Sequence, residues 1–312
     1  MNANSDSGQD VAIARLTRDG TMRVAGADAR AFLHGQLTND IEHLAPDQAR
    51  RAGWCTAKGR LLATVLVVPQ ADDFLLLLPR ELVAPVAKRL KMFVLRAKVS
   101  IEDETERWSH HGVLGMGALQ ALAARGVSVP EAVHGLACTD ATIVVRVEGD
   151  RARILVPRAS AATLVERLGL PEIDDARWAL AEIQMGVPQV VAATQDLFVP
   201  QMLNFEAVAG LDFKKGCYPG QEVVARAQYR GQVKRHMRRA RIAPDAVPAA
   251  GQDLYCDEPS GQACGTVVAV AAADGEAEIL AVVPIAATEA RLPVRLAPGG
   301  PPLEWLPLPY AA

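Results

Sequence analysis

Lys214-Lys215-Gly216-Cys217-Tyr218-Pro219-Gly220-Gln221-Glu222 places a thiol, two ammonium groups, a Pro-Gly turn and a carboxamide–carboxylate pair within nine positions. Pro219 and Gly220 suit the central positions of a type II turn, the second of which takes a positive φ. Residues 221–229 contain no helix breaker and predict a short helix. Cys217 then lies just ahead of a helix N-terminus with two lysines beside it, and both effects favour thiolate over thiol. An unpaired cysteine in a tight loop is, more simply, a small buried apolar residue. The density of special residues around Cys217 favours the reactive reading.

Outward from this stretch, several segments share one resemblance. Residues 215–222 closely resemble the K-G-C-Y-x-G-Q-E signature of the YgfZ family of folate-binding proteins, which is related to the aminomethyltransferase (T-protein) of the glycine cleavage system. The continuation Val223-Val224-Ala225-Arg226-Ala227-Gln228-Tyr229-Arg230-Gly231 fits, as does the approach Phe198-Val199-Pro200-Gln201-Met202-Leu203-Asn204. Phe32-Leu33-His34-Gly35-Gln36-Leu37-Thr38-Asn39-Asp40 and Cys55-Thr56-Ala57-Lys58-Gly59-Arg60 match in the same order, so the resemblance spans roughly residues 20–285. It implies an α+β protein with a T-protein-like plan: two α+β units and a C-terminal β-barrel around a central folate site. It also implies tetrahydrofolate, or a one-carbon derivative, as the cofactor. The implied role is that of an accessory protein in the maturation or repair of iron–sulfur proteins, among them enzymes that modify tRNA. Partners are then iron–sulfur client proteins or assembly factors.

Folate presents adjacent N–H donors on its pterin edge, an aromatic plane and an anionic glutamate tail. Its site needs a carboxylate, apolar walls and a cation. Glu182, in Leu180-Ala181-Glu182-Ile183-Gln184-Met185-Gly186, resembles the glutamate by which the T-protein relatives grip the pterin. On a helix, Trp178 shares its face four residues earlier. Without the resemblance, Glu182 reads as an exposed glutamate on an amphipathic helix. Lys215, Gly216, Tyr218, Gly220, Gln221, Glu222 and Arg226 are assigned with Glu182 and Trp178 to the folate site, and Cys217 is assigned as the reactive thiol. Lys215 tunes that thiol, Glu222 holds the loop, and Gly216 and Gly220 give the backbone its freedom.

One departure from the pattern bears on activity. The T-protein relatives carry a catalytic aspartate after a Gly-Gly turn in a short hairpin. The matching segment here is Lys58-Gly59-Arg60-Leu61-Leu62-Ala63-Thr64-Val65, with no acid at Ala63 or Thr64. Aminomethyl transfer needs a carboxylate to position the folate nitrogen and manage its proton, so the absence argues against glycine-cleavage chemistry. A folate-dependent C1-transferase with a substitute acid stays open. So does an RNA- or protein-docking module built on residues 226–241, where Arg226, Arg230, Lys234, Arg235, Arg238, Arg239 and Arg241 occur with no acid among them. A solvated basic strand face explains that run equally well. Tyr229 is its only aromatic residue, which argues against a stacking platform for single strands.

The 312 residues allow two domains or a little more. A net charge of −3 excludes a globally basic nucleic-acid binder. The five cysteines form no Cys-x-x-Cys and no close pair, so no metal or cluster site is expected and a reducing compartment is. The polar N-terminus has no leader pattern and no apolar run reaches about 20 residues, so a cytoplasmic protein with no membrane contact is expected. Residues 1–12 read as a disordered tail, 13–105 as a first α+β unit, 106–230 as a second that carries the signature, and 231–312 as the barrel with a Pro-rich tail. Within these, strands are expected at 21–25, 50–55, 61–68, 74–78, 99–101, 142–147 and 153–156. Helices are expected at 29–37, 81–95, 114–125, 159–168 and 175–185. The barrel strands are placed at 233–242, 266–271, 277–283 and 290–296. Adjacent His110 and His111 fall on an exposed linker in this reading.

Overall fold

The computed structural model describes residues 11–139, 141–229, 233–256 and 263–311. Ten residues of the expected N-terminal tail, and Arg230 of the basic run, lie outside them. In chain order the strands and helices are β1 (Ala12–Arg15), β2 (Asp19–Ala25), α1 (Ala29–Gln36), β3 (Arg50–Cys55), β4 (Leu61–Gln70), β5 (Asp73–Pro79), α2 (Arg80–Lys91) and β6 (Ser100–Asp103). Then follow β7 (Trp108–Leu114), α3 (Ala118–Ala124), β8 (Leu136–Thr139), β9 (Thr142–Val147), β10 (Arg151–Pro157), α4 (Ala161–Leu168), β11 (Glu172–Ile173), α5 (Asp175–Gln184) and α6 (Gln221–Tyr229). The C-terminal part adds β12 (Arg235–Arg241), β13 (Asp253–Cys256), β14 (Ala263–Ala273), β15 (Glu276–Pro284), α7 (Ile285–Glu289), β16 (Val294–Arg295) and β17 (Glu304–Leu306).

These strands make three sheets. The first runs β3-β4-β5-β2-β6 and is antiparallel throughout. The second runs β11-β1-β7-β10-β9-β8, with one parallel pair between β1 and β11. The N-terminal strand β1 thus belongs to the sheet built mostly from later strands. The third runs β16-β13-β14-β15-β12-β17 and is antiparallel. It is an open half-barrel rather than the closed barrel expected. No ladder joins its edge strands β16 and β17 among the described residues.

Burial on both faces explains the unbroken apolar runs of β4 and β5. On β5, Phe74, Leu76 and Leu78 join the core shared with α1, α2 and the C-terminal sheet, while Leu75 and Leu77 turn to the second sheet. Trp108, Val145, Val147 and Leu155 meet them there, so the first two sheets pack face to face. On the far side, α3 and α4 cover Ala152, Ile154 and Val156 of β10. Strand β10 therefore alternates strictly, and Arg151 and Arg153 point inward with Leu155.

Several local expectations fail for identifiable reasons. The stretch 108–114 is a buried strand, and His110 and His111 are only 5% and 3% exposed, so they do not sit on a linker. The following helix starts later than expected, because Gly115 and Gly117 take positive φ values of 120° and 79° ahead of α3. No side chain caps α1, and the Asp28 carboxylate ahead of it accepts the Lys98 amide at 2.7 Å. Asp174 does cap α5, accepting the Ala176 amide at 2.7 Å. Helix α2 ends at Lys91, short of residue 95, in turns through residues 92–97. No helix among the described residues is long and apolar enough to cross a membrane.

Candidate functional site

A cavity of about 710 Å³ opens where the three sheets meet. Asp19 at the start of β2, Arg80 and Glu81 at the start of α2, Arg153 of β10, and Trp178 and Glu182 of α5 line it, with residues 268–270 of β14 closing the far wall. Trp178 and Glu182, four residues apart on one helix, both face the space, as the helical spacing requires.

A buried ion-pair chain frames its polar end. Glu182 Oε1 accepts a hydrogen bond from Arg151 Nη1 at 2.9 Å, and Oε2 lies 3.7 Å from Arg153 Nη2. Arg153 Nη1 donates in turn to Asp19 Oδ2. Arg151 Nε donates to the Glu148 carbonyl at 2.8 Å, and the Glu148 carboxylate accepts from Arg51 at 3.0 Å and pairs with His134 at 3.0 Å. Burial alone would raise the Glu148 carboxyl, but Arg51 and His134 beside it outweigh that and hold it well below the usual carboxylate range. Both inward guanidiniums also stack on Trp178, at 4.9 and 5.2 Å from the ring centroid. That ring lies against Gly112 of β7, where an added Cβ would sit 2.2 Å from a ring carbon. Trp178 Nε1 and Arg151 Nη2 are buried donors without a hydrogen-bond partner among the described residues.

The missing carboxylate has a structural counterpart. Ala63 is fully buried, and Thr64 Oγ1 accepts the Val190 amide at 3.0 Å. Thr64 lines a small recess of about 30 Å³, whose walls include Asp19, Glu182 and Gln189 of the main cavity.

The signature residues gather elsewhere. None of Lys215, Gly216, Cys217, Tyr218, Gly220, Gln221, Glu222 and Arg226 lines the cavity. Instead the loop closes on the C-terminus of α1 and on the β3–β4 turn. Lys215 is only 7% exposed, and its ammonium donates to the carbonyls of His34 and of Leu37, the latter at 2.7 Å. It therefore serves carbonyls at the end of α1 that lack helical partners. Burial pushes the Lys215 ammonium down to about 8. Tyr218 is buried with that ammonium 5.1 Å from its ring centroid, and the Gln221 carboxamide donates to the Lys215 carbonyl at 3.4 Å. Gly220 takes the expected positive φ, 80°, and packs so closely on the β3–β4 turn that a Cβ would lie 2.4 Å from the Thr56 carbonyl oxygen. Gly216 lies against the His34 ring. Cys217, Glu222 and Arg226 are exposed. The expectation that the thiol stands beside the cavity is not met, because the loop's charged anchor is spent on α1. Lys215→Met, which keeps the stem and removes the donor, is expected to cost about 2 kcal/mol in urea unfolding. A loss under about 0.5 kcal/mol would show that Lys215 does not hold the loop.

Sequence reasoning missed Arg151, Arg153 and Asp19. The signal was present, since Arg-x-Arg on a strand puts two charges on one face, and such charges are buried only when paired. The basic run is partly neutralised from outside its own segment. Arg239 pairs with Glu278 at 2.7 Å and Arg241 with Glu304 at 3.1 Å. Contrary to the cysteine reading, Cys256 and Cys264 form a disulfide with Cα atoms 5.8 Å apart, while Cys55, Cys138 and Cys217 are free. Among the described residues no three His, Cys, Asp or Glu side chains cluster as a metal site.

Comparison with known proteins places this geometry. No family model matches the chain. A curated relative from Escherichia coli O127:H6, the tRNA-modifying protein YgfZ, is 33% identical over 235 residues, which are 74% of this chain and 72% of the relative. The protein of the same name from Escherichia coli K12 is 34% identical over the same shares of both chains. Among solved structures, the glycine cleavage system aminomethyltransferase T from Bartonella henselae superposes with a TM-score of 0.68 at 16% identity, over 89% of this chain and 79% of that one. That likeness establishes a common fold. The identity to the curated relatives, extending over nearly three-quarters of each chain, carries more: this chain belongs to the YgfZ family.

Proposed function

We propose that the protein binds a reduced folate in the cavity between its sheets and acts in the cytoplasm as an accessory to tRNA-modifying enzymes, in the maturation or repair of their iron–sulfur centres. The family and the T-protein fold support the folate, and the relatives' name supports the link to tRNA modification. The observation that carries the reading is Glu182: Oε1 is held by Arg151, while Oε2 has only Arg153 at 3.7 Å and remains free to accept a pterin N–H. A volume of about 710 Å³ lies within the usual range of small-molecule sites. Trp178 and Ile183 form wall, and Arg18 and Arg80, paired with Asp175 and Glu106, stand on the lining as cations for a glutamate tail.

In such a complex Glu182 orients the pterin, the Arg151–Arg153 pair fixes Glu182, and α5 with β14 keeps water off the ring system. A one-carbon derivative of tetrahydrofolate, when bound, would supply its unit from the ring nitrogens, whereas tetrahydrofolate itself would accept one there. Exposed Cys217 is then the thiol that meets a client's labile cluster or a substrate, on a surface separate from the cavity. Titration with tetrahydrofolate should quench tryptophan fluorescence, and Glu182→Gln should weaken binding about tenfold with the melting curve retained. Equal affinity in the variant would sink the assignment.

One observation favours a second reading. Asp19 presents a carboxylate to both the cavity and the Thr64 recess, where a transferase would need its acid. Turnover of tetrahydrofolate with a methylated amine, lost in Asp19→Asn, would make the protein a C1-transferase.

A further inference from the structure

Helix α2 runs from the cavity rim at Arg80 and Glu81 to a turn at residues 92–97, about 18 Å away for its twelve residues. Residues 88–98 carry Lys88, Arg89, Lys91, Arg96 and Lys98, and no acid occurs between residues 82 and 101. All five cations are exposed, and none is in an ion pair among the described residues. Lys88, Arg89 and Lys91 complement the helix C-terminus, but Arg96 and Lys98 lie beyond it. Between them Met92, Phe93 and Leu95 are 64%, 43% and 88% exposed. Leu95 also sits at φ 48°, a left-handed conformation unfavourable for a branched apolar side chain. Leu95 thus combines an unfavourable backbone conformation with near-complete exposure inside a basic segment whose Lys98 amide donates to the Asp28 carboxylate at 2.7 Å.

We propose that this turn is a docking surface for structured RNA with an unpaired loop. The five cations, three in the last turn of α2 and two beyond it, match a phosphate backbone, although Arg89 also lies over the Trp54 ring at 5.8 Å. Phe93 meets the Trp54 ring edge-on at 6.3 Å and stays 43% exposed, and Leu95 and Met92 beside it act as wedges against unstacked bases, as apolar side chains do at other nucleic-acid contacts. The site differs from the basic run at 226–241, where Arg239 and Arg241 are already paired. It also goes beyond the folate reading, because it supplies an RNA contact of the protein's own.

The test uses the full chain and purified bulk tRNA as probe, with binding measured across a salt series. Neutralising five phosphates gives a log–log salt slope of about −4. Lys91→Gln with Arg96→Gln and Lys98→Gln should weaken binding at least about tenfold and reduce the slope by about 2. Leu95→Gly should weaken binding with the slope unchanged, while melting is unchanged or raised because glycine relieves the strained φ. Unchanged affinity in the triple variant overturns the proposal. So does an equal loss on neutralising Lys234, Arg235 and Arg238, which would move the contact to the other run. Binding to phosphatidylglycerol vesicles in preference to tRNA would overturn it in favour of a lipid surface. Tetrahydrofolate affinity should be unaffected by these variants, so a failed folate titration and a failed RNA titration remain separate results.

Discussion

Gly112→Ala is expected to cost about 3 kcal/mol of stability and to weaken folate binding by about tenfold or more. The added Cβ would lie 2.2 Å from Trp178 Cε3 and 2.6 Å from two further ring carbons. A rigid indole cannot yield that space by a rotamer change alone, and β7 is an interior strand held between β1 and β10. Either the strand or α5 must therefore move. Displacing Trp178 also disturbs the stacks with Arg151 and Arg153, and through them the position of Glu182. Urea unfolding and tetrahydrofolate titration of the same preparation check both effects. A variant within about 1 kcal/mol of the parent and with equal affinity would mean that the indole does not set the cavity wall.

Gly112 also marks the limit of what could be read from the residues. The β3–β4 hairpin, strands β5 and β9, and helices α4 and α5 follow from local periodicity and lie close to where it puts them. Trp178 and Glu182 were legible as one helical face, and both line the cavity. Strand β7 was not, because Ser109, His110 and His111 look like a polar linker until the first sheet on one face and helices α3 and α4 on the other bury their strand. The inward arginines of β10 depend in the same way on acids from β2 and α5, which lie 134 and about 30 residues away in sequence. The signature was read correctly as a tight, glycine-dependent turn. Its distance from the cavity follows from where α1 ends, a tertiary fact with no local trace.

Acid should unfold the protein through His110 and His111. His110 Nε2 lies 2.7 Å from Thr21 Oγ1 and His111 Nε2 3.0 Å from Ser109 Oγ, while both Nδ1 atoms are buried without a partner. Protonation would place a charge and an unsatisfied N–H in that interior. Burial accordingly pushes both imidazoles from 6.5 down to about 4; Asp19 opposes this at His110, and Arg153, Arg158 and Arg15 reinforce it across the pair. The unfolded chain thus binds protons first. The stability that these groups contribute is full above pH 6.5 and is lost as pH falls through about 4. Each is worth roughly 3 kcal/mol, a large share of the 5–15 kcal/mol typical of a folded domain. Urea unfolding near pH 5 should therefore take up about two protons through this pair. A His110→Gln, His111→Gln variant that still folds should lose that part of the slope. If its stability falls with acid as steeply as the parent's, the two histidines do not set the acid limit.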